Sequence, residues 1–190
     1  MSNNKFEQES VRKLTTVGIL TALTAVLGLV KIPIMGASIT LVLPVVIIGG
    51  ALYGPFVGAW LTVIPNLIAL TEAGIFLVYA PVGCIATLLL KGLLAGFLSG
   101  FLYKALSSKH PIGAVTWSAV VAPTVNTLVF VVGCYIFIWD ELVKLAGENE
   151  VGIGLLLFGL AGFNYIIELV LNVVLCPSIL RVINFVKNKK

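Results

Sequence analysis

Six apolar runs set the problem that this chain must solve. They lie at roughly 14–30, 39–53, 55–71, 80–104, 113–138 and 151–176. About 20 helical residues cross a bilayer's hydrocarbon core, and the shortest of these runs approach that length. Of the 190 residues, 59% are hydrophobic and only 11% are charged. Mean hydropathy is +1.13. A soluble domain carries roughly 25% charged residues, and one this apolar lacks the polar groups to cover its surface. Disorder, a disulfide scaffold and a fibrous repeat are excluded on the same grounds. Long unbroken runs without alternation favour helices over a barrel. The expected fold is a single all-α integral membrane domain over 1–190, with six transmembrane helices and the lipid bilayer as its solvent.

The boundaries follow from local chemistry. Residues 1–13 are polar. The run after them could be the core of a signal peptide, but at 14–30 it is long and further runs follow, so it reads as the first span. The second and third runs meet at Tyr53-Gly54-Pro55, a turn followed by a helix-starting proline. One helix over 39–71 would be roughly 50 Å long, so two short helices are expected. Lys5, Arg12 and Lys13 precede the first span, Lys104 and Lys109 lie between the fourth and fifth, and Arg181, Lys187, Lys189 and Lys190 follow the sixth. Between the fifth and sixth the balance reverses, with Asp140, Glu141, Glu148 and Glu150 against Lys144. The positive-inside rule then places both termini and the 104–112 loop in the cytoplasm. The net charge of +4 is a topology signal. The basic residues are scattered at helix ends, so no nucleic-acid partner is implied.

Polar residues at depth carry the functional information. Lys91 lies about eleven residues into the fourth run, roughly 16 Å deep. Asn126 sits midway along the fifth. Asn164, Glu168 and Asn172 are spaced i, i+4, i+8 on the sixth, which makes one polar stripe. A charge facing lipid at this depth costs about 2.5–3.5 kcal/mol, so Lys91 and Glu168 should face the interior. Two readings fit. The pair could only fix helix packing. Alternatively the side chains line a cavity for a water-soluble ligand, where asparagines offer donor and acceptor together. Asn126 and Asn164 could also simply bond across helices.

A second cluster is expected near the outer surface, with Asn66, Thr71, Glu72 and Tyr79 beside Pro81, and Lys31 with the Pro33–Ser38 stretch. It reads either as solvated loop chemistry or as a lid with Gly36 and Gly74 as flexible points. Gly92, Gly96 and Gly100 form a small-residue stripe on the fourth span, and Gly18 and Ala22 repeat that spacing on the first, with Ala25 beside them. Such surfaces let helices approach closely, within the chain or against another protein. The three cysteines, Cys84, Cys134 and Cys176, read as small apolar packing residues. Trp60, Trp117 and Trp139 read as interface anchors, or as stacking platforms for a flat ring.

Enzyme readings fare badly. The only histidine is His110, in a loop, which removes Ser–His catalysis and histidine metal sites. No phosphate-binding Gly-x-x-x-x-Gly-Lys-Ser/Thr motif occurs. Neither an arginine series nor a selectivity-filter motif is present. No cofactor is called for. A buried polar pocket without an energy source suggests a subunit that borrows its energy.

Several segments resemble one family: Ser38-Ile-Thr-Leu-Val-Leu-Pro44 through Tyr53-Gly-Pro55 with Gly58; Lys91-Gly-Leu-Leu-Ala-Gly through Lys104; Ala122-Pro-Thr-Val-Asn-Thr127; and Asn164-Tyr-Ile-Ile-Glu168 with Pro177 at the end of the last helix. In order, length and span number the chain resembles the substrate-binding S component of energy-coupling factor (ECF) vitamin transporters. The resemblance implies a six-helix subunit of a bacterial cytoplasmic membrane that captures a vitamin or precursor, such as pantothenate or riboflavin, from outside. It implies docking onto a transmembrane coupling subunit powered by two cytoplasmic ATPase subunits. The family's Ala-x-x-x-Ala contact maps onto Gly18 and Ala22, with Gly in the first place. The family's ligand-binding regions here hold Lys31, Glu72, Tyr79, Lys91, Asn126, Asn164 and Glu168. Two other classes remain: a self-contained oligomeric transporter or channel with the glycine stripe as its interface, and a scaffold whose polar pairs are structural.

Overall fold

Proline punctuates this fold. Pro55, Pro81 and Pro111 each open a helix, where a missing N–H costs nothing and the fixed φ suits the first turn. The computed structural model describes residues 2–30, 32–34, 37–74, 77–78, 80–145, 152, 154–155 and 158–188. Helix α1 covers Ser2–Leu29, followed by strands β1 (Ile32–Ile34) and β2 (Ala37–Ile39). Then come α2 (Val42–Tyr53), α3 (Pro55–Trp60), α4 (Val63–Thr71), α5 (Pro81–Leu106), α6 (Pro111–Phe137) and the short α7 (Trp139–Leu145). A π-helical turn, Phe158–Gly162, leads into α8 (Phe163–Asn188).

Four helical stretches are long and apolar enough to cross a membrane: Glu7–Leu29, Pro81–Leu106, Pro111–Phe137 and Phe163–Asn188. Val42–Tyr53 and Pro55–Thr71 are shorter apolar helical stretches. The helical class expected from composition is observed, with one addition. β1 and β2 pair antiparallel with Pro33 opposite Ser38, in a stretch expected to be loop. Pro177, expected at the end of the last helix, lies inside α8, which continues to Asn188. The later turns carry Arg181 and Lys187, which a helix tolerates even where an apolar run has ended.

The expected turn between the second and third runs is present. Gly54 adopts φ +98°, a left-handed conformation that glycine reaches without strain. The turn folds α2 and α3 against α5 through glycines on both sides. A Cβ on Gly50 would come within 3.0 Å of Gly100 Cα, and one on Gly58 within 3.1 Å of the Gly96 carbonyl carbon. The stripe of Gly92, Gly96 and Gly100 is therefore an internal seam.

The third run is broken where it was expected to be continuous. Pro65 has no N–H to give to the Leu61 carbonyl, and its ring crowds that carbonyl. The chain responds at Leu61–Thr62: the Thr62 N–H bonds the Ala59 carbonyl at 3.1 Å, one residue short of helical spacing, and the Thr62 hydroxyl bonds the same carbonyl at 2.7 Å. Helix α4 restarts at Val63, and Asn66 is buried on it.

The largest buried cluster joins Leu43 and Ile47 of α2, Tyr103 of α5, Ala114, Val115, Ala119 and Ala122 of α6, and Ile179 and Ile183 of α8. Lys187 Nζ donates to the Tyr103 hydroxyl at 3.1 Å and lies over its ring, closing that end of the core. Helix α1 touches the rest along one face. Thr24 and Gly28 are buried there, and Leu20 and Leu27 pack on Val42, Val46 and Leu61. Its opposite face, with Val11, Leu14, Gly18, Ala22 and Leu29, is exposed.

Candidate functional site

Polar side chains that an apolar bundle cannot leave facing lipid converge on one cavity of about 140 Å³. Lys91 and Gly92 of α5, Asn126 of α6, and Asn164 and Glu168 of α8 line it. So do Thr40, Thr62, Pro65 and Asn66. Four of the seven expected site residues, Lys91, Asn126, Asn164 and Glu168, are thus brought together from three helices. Glu72 lines a second cavity instead, of about 420 Å³. Lys31 and Tyr79 lie outside the described residues, as does Gly36.

The polar stripe on α8 divides its labour. Asn164 Nδ2 donates to Glu168 Oε1 at 3.3 Å. Asn172 Nδ2 donates to the Glu168 carbonyl at 2.7 Å, so Asn172 acts on its own helix and does not line the cavity. Three buried atoms of the cavity-lining residues have no hydrogen-bond partner: Asn66 Nδ2, Asn164 Oδ1 and Glu168 Oε2. An atom of this kind left without any partner costs about 1–3 kcal/mol, so a molecule that occupies the cavity must answer all three.

Asn66 was expected with the outer cluster. Its place eight residues after Gly58, on the side facing α5, and the absence of a side chain at Gly92 put it in the cavity instead: a Cβ on Gly92 would lie 2.8 Å from Asn66 Cγ. The readable signal was the spacing of Gly58 and Asn66, together with a glycine one residue after Lys91.

The larger cavity is mainly apolar. Leu88, Phe130, Ile138 and Leu142 line it with Cys84, Cys134 and Thr87, and Glu72, Ala73 and Gly74 stand at one end. Gly74 has φ +51°, a left-handed conformation that favours glycine. Ala69 lines both cavities. The Lys91 ammonium lies 5.0 Å from the centroid of the Phe130 ring, a cation–π distance, and so stands between the two. Cys84 and Cys134 are free thiols, each 3% exposed. None of the three tryptophans lines either cavity, and Trp60 and Trp117 are more than half exposed, which fits interface anchors better than stacking platforms.

A polar cavity inside an apolar helical bundle is an architecture that suits a binding protein in a membrane. The family model described as "ECF transporter, substrate-specific component" matches residues 12–180. The chain belongs to this family. It is an S component, the substrate-binding subunit of an ECF transporter, and a multi-pass membrane protein. Membership carries with it a partnership with an ECF coupling module. A search of curated proteins finds no match to this S component. The self-contained oligomeric transporter is not favoured, because the glycine stripe it would use as an interface packs inside the chain, against α2, α3 and α4.

Proposed function

We propose that this S component captures a small water-soluble vitamin or vitamin precursor from outside a bacterial cytoplasmic membrane. It performs no catalysis. A transmembrane coupling subunit and two cytoplasmic ATPase subunits supply the energy for uptake. Six spans leave both termini in the cytoplasm, in keeping with the basic residues at 5–13, 104–109 and 181–190.

The observation that carries the reading is the set of unpartnered polar atoms in the cavity beside Lys91. Lys91, Asn126, Asn164 and Glu168 are the contacts, with Asn66 added from α4. Glu72 belongs to the neighbouring apolar cavity, and Lys31 and Tyr79 are kept as further ligand contacts on the family resemblance alone. Gly18, Ala22 and Ala25 form the docking surface for the coupling subunit. A Cβ on Gly18 would meet nothing within 4 Å, so nothing inside the S component requires a glycine there.

The deciding experiment is a native mass spectrum of the detergent-purified protein from rich medium, with the bound molecule released and identified. One vitamin-sized mass per chain is the expected result. An empty protein that also ignores a panel of B vitamins refutes the reading. With that molecule in hand, Lys91→Ala and Asn164→Ala are each expected to weaken its affinity by about 10–100-fold, the loss that follows from removing one buried hydrogen bond involving charge. Unchanged titration curves would place the ligand elsewhere.

Thiol chemistry gives an independent check. Cys84 and Cys134 line the larger cavity, whereas Cys176 packs against the core cluster of Leu43, Tyr103 and Ala119. Bound ligand is expected to slow maleimide labelling of Cys84 and Cys134 severalfold and to leave Cys176 unaffected. Equal slowing at all three would mean a general stiffening of the bundle rather than an occupied cavity.

A further inference from the structure

The chemistry of the unpartnered atoms says what kind of molecule fits between them. Glu168 offers only acceptors while ionised. Asn164 must turn its amide N–H toward Glu168 Oε1, which it does at 3.3 Å. Its Oδ1 is left as a second bare acceptor beside Glu168 Oε2. The two stand one helical turn apart on the same face of α8. From α4, Asn66 Nδ2 is left as a bare donor. The wall therefore asks for two adjacent N–H or O–H donors and one acceptor.

Charge narrows the choice. One basic and one acidic side chain, Lys91 and Glu168, line the small cavity, so its formal charge is zero. An anionic head would set its lone pairs against the Glu168 carboxylate and the Asn164 carbonyl. A cationic head would face the Lys91 ammonium. A neutral head with the donor–acceptor edge of a carboxamide, urea or amino-heteroaromatic ring meets neither penalty. The small cavity has room for little more than such a head. The larger one, about 420 Å³ and lined by Leu88, Phe130 and Leu142, has room for a ring or short chain and is of ligand size.

We infer that the ligand is an uncharged amphipathic molecule, bound with a donor-rich amide-like head between Asn66, Asn164 and Glu168 and an apolar body beside Phe130. This rests on the proposed role as a binding subunit, and it goes further by naming the substrate class.

Matched pairs that differ in charge test it. The full-length protein in nanodiscs is titrated with nicotinamide and nicotinate, panthenol and pantothenate, and biotin methyl ester and biotin. In whichever pair binds most tightly, the neutral member is expected to bind at least about tenfold better. Glu168→Gln, which removes the negative charge, should shrink that ratio toward one. Tighter binding of the anion, or a ratio that Glu168→Gln leaves untouched, overturns the substrate class while leaving a binding subunit in place. If the variant does not fold, the wild-type ratio alone decides. If none of the six binds, the molecule released from protein purified from rich medium decides by its own charge at neutral pH. Silence in both assays overturns the substrate class and the binding-subunit reading together.

Discussion

Replacing Gly18 and Ala22 by Trp is expected to abolish substrate uptake, by at least about a hundredfold, while leaving ligand affinity and thermal stability near those of the parent. The expectation rests on which way α1 faces. Thr24 and Gly28 are buried against the rest of the bundle, with Leu20 and Leu27 in the seam, whereas Gly18 and Ala22 are exposed on the opposite side. A Cβ on Gly18 would meet nothing within 4 Å. Both positions are exposed, so two indoles there can project away from the bundle into lipid. Glycine in mid-helix costs about 1 kcal/mol relative to alanine, so Gly18 carries a cost with no internal return. Small residues on an outward face do allow a partner helix to approach closely. The measurement is uptake in cells that carry the coupling module, paired with ligand titration of the purified variant. Normal uptake would show that the coupling subunit docks elsewhere. Lost binding would show instead that α1 supports the cavity.

Single charged residues were the most legible part of the site. A lysine or glutamate in the middle of an apolar run has one affordable direction, inward, whatever the fold. That argument places Lys91 and Glu168 without any knowledge of neighbours, and the i, i+4 rule adds Asn164. Asn66 was not legible in the same way. It is uncharged and lies near the end of its run, so depth alone put it with the outer cluster. Its direction follows instead from its place eight residues after Gly58, on the face that packs against α5. The hairpin at Ile32–Ile34 and Ala37–Ile39 is also beyond periodicity arguments, because three residues are too few to show alternation. The π-helical turn before Asn164 has no composition of its own. Lys91 of the polar cavity lies over Phe130 of the apolar one, a contact between helices that one-dimensional spacing does not encode.

Three glycines at i, i+4, i+8 on α5 look alike in the sequence, yet their substitutions are expected to fail in different ways. Gly96→Val should be the most damaging change in this chain. A Cβ there would come within 2.6 Å of the Gly58 carbonyl carbon and 2.9 Å of the Ala59 nitrogen. Both are backbone atoms in α3, so relief requires moving α3 and, through the Gly54 turn, α2 as well. Overpacking of this kind costs about 1–3 kcal/mol or more, which for a chain of this length lowers Tm by roughly 2–12 °C. The protein that does fold should bind normally, since Gly96 lines neither cavity. Gly92→Ala inverts the pattern. Its Cβ would meet the side chain of Asn66, which can swing away, so the stability change should be small while a donor is lost from the cavity and affinity falls about tenfold. The test is a thermal melt beside a ligand titration for each variant. An intact melt for Gly96→Val would mean that α3 does not sit against α5 as described. A Gly92→Ala protein with full affinity would remove Asn66 from the site.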